Sequence, residues 1–215
     1  MIGSDTTSGV LIYTFYLLIS NKHAYHRLRE ELDANFSDPD KHISNATLAA
    51  LPYLNAIVYE SLRLGTPLPG PPRVTPKGGM TIDGAYIPEG MVVGMNPYVQ
   101  ETSEENFYPA PTAYKPEHWL PEGLGPGTIT RKTAIMSFSY GTFWIFFISQ
   151  SFVAYNRLPG AFECLRRALA IQELQIVVAR MILAYDLSFA PTFDSNKFMD
   201  GVEDREIALF AQHVL

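Results

Sequence analysis

The sequence predicts a mainly α-helical fold with a small antiparallel β-sheet, and three observations lead there. Helically spaced apolar residues dominate both ends of the chain, short β-like runs separated by Asp-Gly and Glu-Gly turns fill one central stretch, and a Pro- and Gly-rich meander follows them. The chain has 215 residues, 47% of them hydrophobic, enough to enclose a packed core in one or two domains.

Residues 9–20 are apolar almost all round, the pattern of a helix buried on every side. As the first element, such a helix implies neighbours that this chain does not supply. Residues 21–36 turn polar, with Arg27, Arg29, Glu30 and Glu31, and predict a solvated helix that stops before Ser37-Asp-Pro-Asp. Ser44 or Asn45 is placed to cap a short helix after it. Residues 52–64 carry Leu54, Ile57, Val58 and Leu62 at helical spacing behind Pro52, and Gly65-Thr-Pro-Leu-Pro ends the helix abruptly.

Within residues 73–96, the runs Met80-Thr-Ile, Ala85-Tyr-Ile and Met91-Val-Val flank Asp83-Gly84 and Glu89-Gly90 turns and predict one small sheet. Residues 97–130 read as a long ordered meander with few regular elements. A strong helical pattern occupies residues 165–185, and weak strand signals follow at 187–190 and 207–210. The chain has no internal repeat.

The formal charge of −6 is spread without long runs of one sign, which gives no footing for nucleic acid. One cysteine, Cys164, excludes an intramolecular disulfide, so that thiol is either a small buried hydrophobe or a functional group. The first residues lack the basic and apolar pattern of a signal peptide. The longest apolar runs, 10–19 and 143–148, fall short of the roughly 20 residues that a membrane-spanning helix needs. His23 and His26 lie one helical turn apart, but no third metal ligand stands near them, so a solvated face is expected. No local sequence around a His, Asn or Asp makes Cys164 a protease-type nucleophile.

Four patterns carry chemistry. Gly3-Ser-Asp-Thr-Thr opens the first helix; read alone, Ser4 or Asp5 is a helix cap. Glu60-Ser-Leu-Arg63 puts an acid and a base on one helix face, which read alone is an exposed pair worth about 0.3–0.5 kcal/mol. Pro71-Pro-Arg73 is a turn with an exposed Arg or an anion contact. Phe138-Ser-Tyr-Gly141 and Gly160-Ala-Phe-Glu-Cys164 are two halves of a glycine-marked cysteine loop.

In this order the four patterns resemble the cytochrome P-450 family of haem-thiolate monooxygenases, and the wording of the sheet region resembles fungal members. The resemblance runs from Gly3 to about Phe210 and implies a truncated cytochrome P-450 fold, the C-terminal half of one such domain spread over residues 1–215. It implies Asp5 and Thr6 as the acid–alcohol pair that delivers protons, and Glu60 with Arg63 as a buried scaffold. The family's third scaffold partner is an Arg; Tyr114-Lys-Pro-Glu-His-Trp119 supplies His118 instead, which lacks the five-donor fork and implies a weakened triad. Arg73 is implied to hold a haem propionate, and Cys164 to be the axial ligand of the haem iron.

The implied cofactor is haem b, with electrons from NADPH through a reductase and a small organic molecule as substrate. A full-length relative is expected in the endoplasmic reticulum membrane, held by an N-terminal anchor that this chain lacks.

The cysteine motif of the family is F-x-x-G-x-x-x-C-x-G. Here Cys164 follows Gly141 by 23 positions rather than four, and Arg166 replaces the last Gly. Removing residues 142–160 restores Phe-Ser-Tyr-Gly-Ala-Phe-Glu-Cys. That stretch corresponds to 57 nucleotides, and the code allows an in-frame intron: Gly141-Thr142 as G|GTAC and Pro159-Gly160 as CCAG|G. A genuine apolar insertion is the other reading. As it stands, the chain is expected to be inactive, and a non-catalytic fragment or interaction protein is the alternative function.

Overall fold

The computed structural model describes residues 2–36, 43–67, 72–138 and 166–203. Seven helices are found there: α1 (Ile2–Ser20), α2 (Lys22–Asn35), α3 (Asn45–Ala49), α4 (Pro52–Leu64), α5 (Pro97–Glu101), α6 (Arg167–Ala184) and α7 (Ser195–Glu203). Six short strands are β1 (Arg73–Val74), β2 (Met80–Ile82), β3 (Ala85–Ile87), β4 (Val92–Val93), β5 (Phe107–Tyr108) and β6 (Ile129–Thr130). Two 3-10 turns, Pro116–Trp119 and Lys132–Ala134, lie in the meander.

Helix α4 is the centre. Its apolar residues face both ways: Leu54 and Ile57 meet Leu18 of α1, Leu28 and Leu32 of α2, Leu48 of α3, and Val178 and Ile182 of α6 in one cluster. Val58 and Leu62 join Val10 of α1 and Leu174 of α6 in a second, against which Phe138 packs. Fully burying each such side chain contributes about 1.5–3 kcal/mol, so the helices cohere through α4.

Local chemistry fixes where α4 starts and stops. Pro52 stands in its first turn, and Glu31 of α2 accepts hydrogen bonds from Tyr53 N and Leu54 N, both 2.8 Å. A carboxylate from a neighbouring helix thus satisfies two of the orphan donors and faces the positive end of the dipole. At the other end Gly65 N donates to Ser61 O at 2.8 Å, and a Cβ on Gly65 would lie 2.4 Å from Tyr13 Cδ1 of α1. The missing side chain lets α1 and α4 approach.

Several elements differ from expectation. Helix α1 begins at Ile2, ahead of the apolar run at 9–20, so Asp5 sits inside its first turn and is not its cap. The chain buries one side of α1, through Val10, Tyr13, Leu17 and Leu18, whereas Ile12 is 59% exposed. Ser44 caps α3, its Oγ accepting from Thr47 N at 3.1 Å.

The single sheet predicted for residues 73–96 is two antiparallel pairs, β1 with β4 and β2 with β3, and a third pair, β5 with β6, lies in the meander. Pro76 lies just after β1 and Pro88 just after β3, and neither has an N–H to extend a ladder. Asp83 and Gly84 have φ of 48° and 79°, the two positive values of the tight hairpin turn joining β2 to β3.

Residues 187–190 form no strand, and residues 207–210 lie outside the described residues. The aromatics of this tail serve packing instead. Phe189 stacks on Phe193 at 4.4 Å, and Phe198 of α7 lies 4.5 Å from the Tyr16 ring. Asp194 caps α7, its Oδ1 accepting from Asn196 N and Lys197 N at 3.0 and 3.1 Å. Among the described residues no helix is long and apolar enough to cross a membrane.

Candidate functional site

Glu60 and Arg63 are fully buried rather than an exposed helix pair, as the family resemblance implies. One turn apart on α4, they form a forked contact: Arg63 Nε donates to Glu60 Oε2 at 2.8 Å and Nη2 to Oε1 at 2.7 Å. The remaining guanidinium donors reach backbone carbonyls, Glu101 O at 2.6 Å, Ala113 O at 3.2 Å and Pro111 O. All five N–H groups of Arg63 therefore have acceptors, and its guanidinium lies 4.8 Å over the Phe107 ring. A lysine has neither the fork nor the donors to do this.

The carboxylate is equally saturated. Glu60 Oε1 also accepts from Lys115 N at 2.8 Å and meets His118 Nδ1 at 3.3 Å, and Oε2 accepts from Trp119 Nε1 at 2.9 Å. Burial alone would push this carboxyl up, but hydrogen bonds from Arg63 and His118 and their charges hold it below the usual carboxylate range. His118 is also buried, with Nε2 2.9 Å from Pro109 O. The structure thus brings Glu60, Arg63 and His118 together. The contact of His118 with Glu60 is the longest of those on the carboxylate, and the Lys115 amide and the Trp119 indole add donors that no sequence motif announced.

A polar belt surrounds this core. Tyr53 of α4 donates to Glu117 Oε1 at 3.0 Å, Arg27 of α2 pairs with Glu117 at 3.2 Å, and the Arg27 guanidinium lies 4.4 Å over the Tyr53 ring. Burial, and then the Glu117 charge, push the Tyr53 phenol well above its ordinary value. Burial does the same to Tyr114. These contacts tie α2, α4 and the Pro116–Trp119 turn into one unit.

The chain before Phe138 is held by α4 and α5. Ser137 Oγ donates to Leu62 O at 2.8 Å, the Thr66 and Ser137 hydroxyls are 2.9 Å apart, and Met136 N donates to Glu101 Oε1 at 2.8 Å. Phe138 follows, half-buried, with the Arg167 guanidinium of α6 5.5 Å from its ring. Both residues line a cavity of about 390 Å³ whose other walls include Tyr59, Trp119 and Ile135.

The other predicted residues stand apart from this network. Asp5 is exposed and Thr6 half-buried on the first turn of α1. Arg73 opens β1, half-buried, with Nη1 3.4 Å from Pro72 O. Cys164 lies outside the described residues, as do residues 142–160. His23 and His26 are exposed on α2.

Two residues bordering the cysteine motif, Phe138 and Arg166, fall among the described residues. Phe138, the first residue of the motif, packs on the junction of α1, α4 and α6. Arg166, where the motif has Gly, is exposed with φ −98°, so the larger residue causes neither backbone strain nor a buried charge.

A buried acid–base fork on a central helix, a meander that completes it and small antiparallel pairs beside them make up a mainly helical fold of the cytochrome P450 type. The chain belongs to the cytochrome P450 family, whose family model matches residues 1–142. It is 32% identical over 202 residues to the cytochrome P450 monooxygenase sthD of Phaeosphaeria nodorum, covering 94% of this chain and 38% of that protein. It is 34% identical over 191 residues to the cytochrome P450 monooxygenase ORF11 of Penicillium roqueforti, with 88% and 35% covered. With tryprostatin B 6-hydroxylase of Aspergillus fumigatus it shares 30% over 203 residues, 94% of this chain and 32% of that one. A crystal structure of a cytochrome P450, CYP102L1, superposes with a TM-score of 0.67 at 20% identity, over 88% of this chain and 38% of that one. The chain thus spans between about a third and two fifths of the length of these relatives.

Proposed function

We propose that this chain is the haem-side, C-terminal part of a fungal haem-thiolate monooxygenase, with Cys164 as the axial ligand of the iron. The observation that carries the reading is the fully buried and saturated Glu60–Arg63–His118 network, standing directly behind the chain that enters the cysteine motif. A fork of this kind costs desolvation and is weak evidence for stability alone. We assign it a positional use: Arg63 holds Glu101, whose carboxylate accepts from Met136 N, and α4 and Thr66 hold Ser137, so residues 136–137 are anchored where the cysteine motif starts.

When bound, haem would supply dioxygen activation, with the thiolate favouring O–O cleavage. Asp5 and Thr6, on the first turn of α1, are assigned the handling of protons at that face, and Arg73 is assigned a propionate. Electrons would come from NADPH through a reductase, and a small organic molecule would be the substrate of the whole protein, in the endoplasmic reticulum membrane. With residues 142–160 in place, the chain is assigned no activity.

The test is the reduced, carbon monoxide-treated spectrum of the chain lacking residues 142–160 with haem supplied. A red-shifted, thiolate-type Soret band that disappears in Cys164→Ala is expected. A band that survives Cys164→Ala would overturn the ligand assignment, and no haem uptake by the shortened chain would overturn the claim that these residues make the haem site.

A further inference from the structure

We infer that His118 makes the hold of the meander on α4 proton-dependent: as an imidazolium it bridges Glu60 to the Pro109 carbonyl, and as a neutral ring it keeps only one of those two contacts. The inference does not rest on haem or on the assignment of Cys164.

The geometry of the ring carries it. The His118 side chain is fully buried, with Nδ1 3.3 Å from Glu60 Oε1 and Nε2 2.9 Å from Pro109 O. Neither oxygen has a proton to give. A carbonyl has none, and Glu60 stays a carboxylate, because burial pushes its carboxyl up but the hydrogen bonds and charges of Arg63 and His118 outweigh that push. A neutral imidazole offers one N–H and one lone pair, an imidazolium two N–H groups. Either neutral tautomer therefore turns a lone pair toward an oxygen inside the core. The bond that is lost joins the meander to α4 in one tautomer, and the Pro116–Trp119 turn to the chain at Pro109 in the other.

The surroundings accommodate the extra positive charge. From α4, Glu60 faces the ring directly, and Arg63 is engaged with that carboxylate and with the carbonyls of Glu101, Pro111 and Ala113. The contact falls near the C-terminal end of α4, the negative end of its dipole. On the His118 turn itself, the Glu117 carboxylate is taken up by Tyr53 and by Arg27 of α2, and Lys115 is exposed. The Glu101 side chain of α5 accepts from Met136 N, and the buried Tyr114 phenol is neutral. From β5 the Phe107 ring meets the imidazole edge-on at 6.2 Å, and from β6 Thr130 Oγ1 donates to the His118 carbonyl at 2.7 Å.

The sign follows from comparing the folded and unfolded chains. Raising the pH takes the proton from both, but only the folded chain then has a buried oxygen facing a lone pair, so stability falls as pH rises. An arginine, the residue the family resemblance implies at this place, keeps its charge throughout.

Thermal unfolding of the 215-residue chain and of its His118→Arg variant, each at about pH 6 and about pH 8.5, tests the inference. Between the two conditions the unfolding temperature of the unsubstituted chain is expected to fall by about 3 °C or more relative to the variant. Equal changes in both chains would overturn the proposal, whatever their absolute stabilities. Should His118→Arg not fold, the ring-nitrogen NMR spectrum of the unsubstituted chain decides the question, with the buried imidazole recognised by its slow N–H exchange. Two ring N–H groups on it at about pH 6 are expected; one N–H and one bare nitrogen would contradict the bridge.

Discussion

Arg63 has five donors, and all five end on the Glu60 carboxylate or on backbone carbonyls of distant parts of the chain. Arg63→Ala would strand the Glu60 carboxylate in the core, an effect of about 3–5 kcal/mol on unfolding free energy, measurable by urea denaturation. Arg63→Lys is expected to fail as a conservative change, because an ammonium cannot reproduce the fork. Glu60 sets the acid limit. Its folded-state carboxyl is held below the ordinary 4.5, so the unfolded chain binds the proton more readily. Stability from this group is therefore complete above about pH 4.5 and lost as pH falls through the lower folded value; Glu60→Gln should flatten that part of a stability–pH profile. The i, i+3 spacing of this pair was legible in the sequence itself, but its burial followed only from the family resemblance. Burial depends on the carbonyls of Glu101, Pro111 and Ala113, 38 to 50 residues further on, and on a tryptophan whose indole N–H belongs to no motif.

At the scale of elements, α4 explains most of the architecture. Its span was readable from Pro52, the apolar spacing and Gly65, all local signals. The carboxylate that caps it was not, because Glu31 belongs to another helix and sits in a run that reads as solvated surface. Glu31→Ala should cost about 1 kcal/mol, the scale of a lost helix cap, by thermal unfolding. Gly65 makes a sharper case. A methyl there meets Tyr13 at 2.4 Å and the Ser61 carbonyl at 2.9 Å, so Gly65→Ala should destabilise by about 1–3 kcal/mol, and Tyr13→Ala on that background should recover part of the loss. The tail shows the opposite failure. Alternation at residues 187–190 reads as a strand, but strands need partners, and Phe189 packs on Tyr16 of α1 and on Phe193 instead.

Across the whole molecule, the fold class and family were legible because four short patterns occur in the right order; order over a long chain is far more specific than any one of them. Two separate pairs within residues 73–96 read as one sheet because strand runs carry no mark of which neighbour they pair with. The proposed link from family to chemistry in this chain is the cysteine loop, entered through residues 136–138 beside α4 and left into α6, with residues 142–160 interposed in the sequence.

The most direct test of that link places the full 215-residue chain beside the chain lacking residues 142–160, each supplied with haem, reduced and exposed to carbon monoxide. A thiolate-type red-shifted Soret band is predicted from the shortened chain alone; the same band, at equal yield, from the full-length chain would contradict the central claim.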